Sequence, residues 1–484
     1  MFKMVDGTGI IGVDMICPLG VSTPQPPNYD RVELEGVGSL VLPNSLKAPL
    51  ERLELIGNST QGENPSPDNP QEIKSAGRKS KNLFNKNTAK QGYEFPSVAN
   101  DVETPRERWF VSDFMPVKSG AKYFISGKGT GAGCKMYNKD KVFVKNVQAH
   151  FGVITIEDNI TYFRINGEIK DLDKIQVEEG IVATDYEPYG YLLDVKVTGK
   201  NLFDREKARD TANWIIRDGD GYAKFPIRVG KGNKATFSYT EKLTPGKGFY
   251  LGIAQSDTGS AVGWLYHSTE INLNNNKLTV VAKGDCLYLS CNKTSIQKFF
   301  DTIQTLQVEM GSEPTPYEPY TEQTLTLTSD RPITKWDRLV EQGGEYGIMY
   351  NSKHMLLNGS EDWVKSSIDN VFYLKNFEGL PNSYEIFCDK LKNFRASVNE
   401  IELNCILGNR TNLYICIDGI ADIGTLKTWL SENNLEVYYN SKESKFVPLS
   451  ESEQTQLRNL HSYNGTTNIT VDSGEVPCGI KLTY

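Results

Sequence analysis

The stretch QVEEGIVATDYEPY, at residues 176–189, decides how this chain is built, because it returns as QVEMGSEPTPYEPY at residues 307–320. Nine of the fourteen positions are identical. A second phrase is duplicated in the same order, since KNLFN at 81–85 returns as KNLFD at 200–204. Each copy therefore begins with NLF and ends with YEPY, over about one hundred residues, a common domain size. The chain contains two tandem copies of one module.

The end of each copy has the pattern of a β-strand. At 175–178 and again at 306–309, apolar residues alternate with Gln and Glu, which is the period of a half-buried strand. A glycine follows each strand, and the proline of each YEPY cannot donate to a sheet ladder. Short runs of strand-forming residues, separated by Gly, Asn and Asp, fill the rest of both copies. The pattern predicts an all-β protein built of tandem β-sandwich modules.

Composition and charge limit the possible functions. The 484 residues carry a net charge of −8, which argues against a nucleic-acid partner because such partners need a basic face. The apolar run at 10–17 is short and contains Asp14, so it predicts neither a signal peptide nor membrane insertion. Eight cysteines at irregular spacing, without a CxxC pair, predict buried free thiols rather than a metal or disulfide framework.

Shifts in composition divide the chain into five predicted segments. Residues 1–57 contain three short alternating strands and are expected to form a small β-rich N-terminal attachment region, whose strand edges suit docking to a neighbouring subunit. Residues 58–80 are expected to form an exposed, proline-containing connector. The two modules follow at 81–191 and 192–321, and residues 322–484 form a third, diverged β-sandwich.

Two short helices are expected in the last segment. At 424–432, Leu, Trp and Leu fall on one helical face by their spacing. Ser450 and Glu453 form a capping box that opens a second helix, which ends near His461. No run of helical period appears in either of the two repeated modules.

Several phrases resemble tail proteins of phages that infect low-GC Gram-positive bacteria. They are the connector GNSTQGENPSPDNPQEIKSAG at 57–77, the NLF and YEPY phrases of both modules, LLNGSEDW at 356–363, LKTWLSENNLEVYYN at 426–440 and PLSESEQTQLRNL at 448–460. The resemblance extends over most of the chain, from about Val32 onward.

The resemblance implies a structural role in a virion. Members of this family look like baseplate, tail-tip or tail-fibre components, so the chain is expected in the tail of the virion after synthesis in the host cytoplasm. Their modules are jelly-roll sandwiches similar to carbohydrate-binding modules and often assemble as trimers. The resemblance therefore implies a homotrimer, contact with other baseplate or tail proteins, and recognition of a host cell-wall or capsule glycan. It implies no cofactor.

Candidate catalytic residues are few. Glu178 and Glu309 are equivalent in the two copies, as are Glu187 and Glu318, and a glycosidase needs a pair of carboxylates. A catalytic pair is rarely duplicated within a structural frame, so we interpret these residues as solvent-facing parts of a strand and a turn. The four histidines form no recognisable constellation with a nucleophile, and no GxSxG, HExxH or P-loop pattern occurs. The sequence predicts no enzyme and no catalytic residues.

A structural calcium ion is a weaker hypothesis. Asp173 and Asp301 lie just before the two QVE strands, where jelly-roll modules often hold calcium. Calcium needs six to eight oxygen ligands, which a single Asp does not supply. The sequence therefore nominates no metal site.

Aromatic residues are the candidate glycan-binding residues. An exposed Trp or Tyr offers a flat apolar surface to the C–H face of a sugar, while polar neighbours bind its hydroxyl groups. The candidates are Trp109, Tyr137 and Tyr162 in the first module, and Trp214, Trp264 and Tyr266 in the second. The same residue types fill sandwich cores, so burial argues against any of them.

Other functions stay open on the sequence alone. A glycan depolymerase would need two carboxylates in one cleft. A purely architectural spacer without a ligand would bury all six aromatic side chains. A bacterial surface adhesin is a weaker alternative, because the sequence has no recognisable export or anchoring signal.

Overall fold

A computed structural model describes residues 33–127, 134–147, 152–217, 219–269, 276–377, 385–409 and 411–483. Antiparallel sheets dominate its regular structure, so the prediction of an all-β protein with β-sandwich modules is confirmed. Residues 1–32, which open the predicted attachment region, lie outside the described residues.

Six short strands come from the first part of the chain. They are β1 (Glu33–Val37), β2 (Ser39–Ser45), β3 (Leu53–Ile56), β4 (Ser59–Thr60), β5 (Lys74–Ser75) and β6 (Arg78–Lys79). The alternating leucines of the sequence produce the first three, because Leu34, Leu42 and Leu55 all enter one core.

Module 1 follows β6 and is a two-sheet sandwich. Its strands are β7 (Lys90–Glu94), β8 (Thr104–Val111), β9 (Met115–Pro116), β10 (Lys122–Ser126), β11 (Cys134–Tyr137), β12 (Phe143–Val147), β13 (Gly152–Thr155), β14 (Tyr162–Glu168) and β15 (Gln176–Glu179), with 3₁₀ turns at Lys86–Thr88 and Ile169–Asp171. One sheet has the order β7-β8-β14-β11-β12, with β9 beside β14, and the other has the order β13-β10-β15. The core between them contains Phe110, Phe163 and Val177.

Module 2 repeats this topology after β16 (Tyr191–Thr198). Its elements are α1 (Arg205–Arg209), a 3₁₀ turn at Thr211–Asn213, β17 (Ile215–Ile216), β18 (Tyr222–Arg228), β19 (Lys234–Ser238), β20 (Leu251–Ala254), β21 (Ala261–Tyr266), β22 (Lys277–Val281), β23 (Cys286–Asn292), α2 (Ile296–Thr302) and β24 (Gln307–Met310). The sheets β17-β18-β23-β20-β21 and β22-β19-β24 match those of module 1 in strand order, apart from β9, which has no counterpart among the described strands of module 2. Its two short helices were not predicted, because one or two turns are too short to show a helical period.

The last third of the chain completes the molecule. Its elements are β25 (Glu322–Ser329), β26 (Arg338–Gln342), β27 (Glu345–Leu357), β28 (Trp363–Lys365), β29 (Val371–Lys375), β30 (Ile386–Cys388), β31 (Lys392–Asn393), a 3₁₀ turn at Val398–Glu400, β32 (Cys405–Gly408), β33 (Asn412–Cys416), α3 (Ile423–Asn433), β34 (Leu435–Pro448), α4 (Glu451–Asn459), β35 (Gly465–Asp472) and β36 (Gly479–Thr483). Both expected helices are confirmed. The capping box of Ser450 and Glu453 is present at the start of α4.

Strands from both ends of the chain pair in a discontinuous sandwich, which we call the hub. One of its sheets has the order β2-β35-β16-β25, and the other the order β1-β36-β3-β26-β27-β34-β30. Residues 33–57 therefore do not form a separate region, because β1 and β3 both pair with β36. Modules 1 and 2 are insertions between hub strands: module 1 lies between β6 and β16, and module 2 between β16 and β25.

The predicted connector at 58–80 is only partly exposed. β4 pairs with β5, and β6 pairs with β16 in the hub. Ala76 is fully buried, and its amide and carbonyl both bond to Ile333. The prolines that suggested an extended linker lie between these short pairings, so the segment belongs to the hub.

A third insertion lies between the long strands β27 and β34. These strands run side by side from the hub core into a second core, which includes Trp363, Leu426 and Leu430. The sheet β28-β29-β33-β32-β31 and helix α3 complete this third module. The segment 322–484 is thus shared between the hub and the third module.

Candidate functional site

Each repeated module is closed at its base by the same set of hydrogen bonds, which we call the clasp. Asn82, from the NLF phrase, accepts from the amides of Phe84 and Val177 at 2.9 and 3.0 Å. Its side-chain amide donates to the carbonyls of Ile175 and Glu187, both at 3.0 Å. Since Glu187 belongs to YEPY, one buried asparagine joins the beginning of the module to its end.

The clasp of module 2 has the same form. Asn201 accepts from the amides of Phe203 and Val308 and donates to the carbonyls of Leu306 and Glu318. In both copies, the duplicated phrases join the start of the inserted module to its end, where the module meets the hub.

The glutamates of the QVE phrases are buried in the clasp and do not face solvent, which corrects the sequence interpretation. The carboxylate of Glu178 accepts from the amide and hydroxyl of Thr184 at 3.0 and 2.5 Å, and from Gln176 at 2.7 Å. Burial raises the pKa of Glu178, but the hydrogen bonds from Thr184 and Gln176 outweigh it, so the pKa is lowered overall. Glu309 makes equivalent contacts in module 2.

The glutamates of the YEPY phrases have ionic partners. Glu187 lies 3.0 Å from Arg78, and Glu318 lies 2.9 Å from Lys200. Internal contacts account for all four, and these residues do not support the depolymerase alternative.

The five-stranded sheet of module 2 turns one face to the core and the other away from it. Across the outward face, directly paired residues form a row from β18 to β21: Lys224, Ser290, Gly252 and Trp264. Tyr222 and Asn292 pair in the next row, and the side chain of Asn292 accepts from the amide of Tyr250 at 2.7 Å. We call these seven residues, together with His267, the outer face of module 2.

Four aromatic rings cluster on this outer face. The Trp264 ring lies 5.9 Å from both Tyr222 and Tyr250 and 5.5 Å from His267, measured between ring centroids. All four side chains are half-buried and therefore keep part of their ring surface exposed. A Cβ atom at Gly252 would lie 2.9 Å from Cε3 of Trp264, so the glycine allows the indole to lie close over β20.

The charged groups beside the aromatic cluster neutralise one another. Lys224 is buried, donates to the carbonyl of Asp257 at 3.2 Å and lies 3.6 Å from the Asp220 carboxylate. Arg217 forms an ion pair with the carboxylate of Asp257. A hydrogen bond from the amide of Tyr222 lowers the pKa of Asp220, with a smaller contribution from Lys224. The two cations and two carboxylates balance, so this side of the face has no excess charge.

Three of the six aromatic residues predicted from the sequence are buried, which corrects those predictions. Trp214 lies in the core and donates to the carbonyl of Ala208 at 2.6 Å. Tyr266 is stacked on Phe249 with a centroid distance of 4.6 Å. Tyr137 is fully buried. None of these rings presents a surface to a sugar.

The other three predicted aromatic residues are half-buried, and they lie apart. Only Trp264 belongs to the outer face of module 2. Trp109 and Tyr162 are in module 1, where Arg106 covers the Trp109 ring at 4.7 Å. The sequence reasoning missed Tyr222, Tyr250 and His267. Alternation with the core residues of the same strands is the signal that would have placed the two tyrosines.

A large cleft of about 1440 Å³ lies where both modules meet the hub. Apolar and polar side chains both line it, and polar ones pair locally: Lys196 lies 2.7 Å from Glu322, and Thr326 donates to Asp194 at 2.6 Å. We interpret the cleft as a junction between domains.

Neither a metal centre nor a membrane segment is found in the described ranges. Among those residues, no group of three or more His, Cys, Asp or Glu side chains is arranged to hold a metal ion. Of the two candidate calcium ligands, Asp173 pairs with Lys86 at 2.5 Å, and Asp301 accepts from Gln297 at 2.8 Å. No helix in the same part of the chain is both long and apolar enough to cross a bilayer.

Comparison with known proteins gives no relative. No family model, no curated protein and no solved structure matches this chain.

Proposed function

We propose that this chain is a structural component of a phage tail that recognises a host cell-surface glycan through the outer face of module 2. The placement in a tail baseplate, tip or fibre rests on the phrases that resemble tail proteins. The observation that carries the recognition proposal is the cluster of Trp264, Tyr222, Tyr250 and His267, four half-buried rings on a sheet face turned away from the core.

The chemistry of the outer face suits a sugar. The exposed parts of the rings offer apolar surface to sugar C–H groups, and the half-buried Asn292 lies beside them as a hydrogen-bonding group. Because Lys224 and Arg217 are already paired with carboxylates, the face favours an uncharged glycan over an anionic one such as a teichoic acid.

Calorimetry on the full chain tests the proposal. The probes are a panel of neutral wall polysaccharides purified from Gram-positive bacteria, with glycerol-phosphate teichoic acid as the anionic comparison. We expect a neutral polysaccharide to bind, and Trp264→Ala to weaken binding about ten-fold, or about 1.4 kcal/mol, since the variant removes the ring at the centre of the cluster. Gly252→Ala should weaken binding in the same direction, because its methyl group displaces the indole.

The matched control is Val262→Ala, on the same strand, whose side chain is exposed and lies outside the aromatic cluster. Equal binding by Trp264→Ala and the wild type would refute the site. Absence of binding across the panel would leave the architectural spacer as the better explanation. Release of reducing ends from a polysaccharide in the same samples would show a depolymerase instead.

A further inference from the structure

Residues 95–103, which connect β7 to β8 in module 1, cover the sheet face that is equivalent to the outer face of module 2. Phe95 is fully buried but does not belong to the core between the two sheets. Its ring lies instead beside Lys135 and Arg164, with the Lys135 Nζ 5.6 Å and the Arg164 Cζ 5.2 Å from the ring centroid. These two residues alternate with core residues along β11 and β14, so they lie on the outward face of the sheet.

Polar contacts hold the segment in place at several points. The ammonium group of Lys135, which is fully buried, donates to the carbonyl of Ser97. Arg164 donates to the carboxylate of Glu103 at 2.8 Å, and Lys90 pairs with the same carboxylate at 2.8 Å. The segment thus contributes an aromatic ring, a carbonyl and a carboxylate to a site built of two cations.

The equivalent face of module 2 keeps four aromatic rings partly exposed, although Gly252, Lys224 and Ser290 beneath them are buried. Lys135 and Gly252 are the second residues of the equivalent strands β11 and β20, and each is paired with the middle strand of its sheet. Module 2 has only the short connection 217–221 between β17 and β18, and its aromatic cluster remains half-exposed. The same fold therefore carries one face covered by a connecting segment and one open face, whose aromatic rings stay partly exposed.

We infer that residues 95–103 are a built-in occupant of the face of module 1, with Phe95 in the place that a ligand's apolar surface would take. A tethered segment competes at an effective concentration on the order of millimolar, so any ligand of this face must first displace it. Recognition is then confined to module 2, with one ligand face per chain. This last consequence rests on the proposed function, whereas the occupancy of module 1 does not.

Lysine acetylation of the full chain, followed by mass spectrometry, tests the occupancy. The exposed Lys118 and Lys170 serve as internal references, because 76% and 70% of their side-chain surface is accessible. Burial lowers the pKa of Lys135, so a larger fraction of its amine is neutral and able to react if the reagent reaches it. We expect Lys135 to react at least about ten-fold more slowly than both references, which requires an opening free energy of only about 1.4 kcal/mol.

A variant and its control extend the test. Phe95→Ala should accelerate the acetylation of Lys135, whereas Val98→Ala, at an exposed side chain of the same segment, should not. Rapid acetylation of Lys135 in the wild type overturns the inference, whether or not Phe95→Ala folds. A neutral polysaccharide that accelerates Lys135 would also overturn it, because the segment would then be displaceable.

The outcomes separate this inference from the proposed function. If no polysaccharide binds while Lys135 stays protected, the glycan proposal fails and the occupancy of module 1 stands. If binding depends on Trp264 while Lys135 reacts freely, the glycan proposal stands and the occupancy of module 1 fails. If both proposals are correct, calorimetry should give one binding site per chain in the wild type. In Trp264→Ala, no other site should bind the polysaccharide.

Discussion

Replacing Asn201 by Ala should unfold module 2 selectively, because this buried side chain closes the clasp. Four hydrogen bonds depend on it: Oδ1 accepts from Phe203 and Val308 at 3.0 Å each, and Nδ2 donates to Leu306 and Glu318 at 3.4 and 2.9 Å. The side chain is 2% exposed, so water does not readily replace these bonds.

The magnitude follows from the groups left without partners. A typical hydrogen bond contributes about 1 kcal/mol net, and a buried polar group deprived of its partner costs about 1–3 kcal/mol. The 3.4 Å bond is weak, and small shifts of the backbone will relieve part of the cost. We therefore expect Asn201→Ala to reduce the free energy of unfolding by about 3–5 kcal/mol, a large share of the stability of a domain of this size.

Hydrogen exchange measured by mass spectrometry locates the loss. The strands β19 and β24 pair directly, and peptides covering them should lose protection in Asn201→Ala while peptides of module 1 keep theirs. Asn82→Ala should have the corresponding effect on the other module, with loss of protection confined to peptides of module 1. The control is Asn213→Ala, which removes one bond to Lys207 at a half-buried site and should cost less than about 1 kcal/mol.

Two results would refute the reasoning. A loss below about 1 kcal/mol in Asn201→Ala would mean that the clasp is replaceable by water or by a backbone shift. Equal loosening of both modules would mean that they do not unfold as separate units, so the insertion of each into the hub would not isolate it.

Three further predictions concern acid stability, a helix cap and a pair of thiols. The pKa of Glu178 is lowered in the fold, so its carboxylate stabilises module 1 above the unfolded pKa of about 4.3, and this contribution is lost as the pH falls through the folded value. In denaturant titrations, Glu178→Gln should therefore be less stable than the wild type at pH 7, with a smaller difference at pH 3, whereas Glu179→Gln at the exposed neighbour should change little at either pH. Ser450→Ala removes the capping box of α4 and should cost about 1 kcal/mol, seen as faster hydrogen exchange within residues 451–459; unchanged exchange there would contradict the cap. Cys405 and Cys416 are direct cross-strand partners, which places their Cα atoms about 4.5–5.5 Å apart, within the range of a disulfide. Oxidised glutathione should therefore oxidise the two thiols to a Cys405–Cys416 disulfide and be reduced to two molecules of glutathione. Burial raises the pKa of Cys405 to about 11, so this reaction should accelerate as the pH rises, and an intact pair of free thiols after prolonged treatment at pH 9 would contradict it.

The arrangement of the hub suggests how the modules are carried. Each repeated module leaves and re-enters the hub at neighbouring strands, since β6 pairs with β16 and β16 pairs with β25. The clasp lies at each of these junctions. A module held at a single base can diverge in its outward face without disturbing the hub, which agrees with one face being open and the other covered.

Local patterns in the sequence predicted the elements well. Alternation located the QVE strands, and the spacing of Leu426 and Leu430 located α3. The duplicated phrases predicted two copies of one module, and both copies have the same strand order. These features depend on neighbours a few residues apart, or on the comparison of two stretches of the same chain, so they are visible without coordinates.

The candidate site was predicted only in part. Trp264 was named, but Trp214 and Tyr266 were named with it although they are buried. A sequence does not show which face of a strand meets the core when both faces carry aromatic residues. It also did not show that Phe95, outside any predicted strand, would cover the equivalent face of module 1.

By itself, the sequence determined the all-β class, the repeat and the residues that close each module, because strand period, turn residues and duplicated phrases are local properties. Only the tertiary structure decided that residues 33–56 pair with strands from the last third of the chain, that modules 1 and 2 are insertions, and that one of two equivalent faces is open. Those outcomes depend on contacts between residues far apart in the chain. Such contacts are selected by the fit of whole surfaces, and no local pattern encodes them.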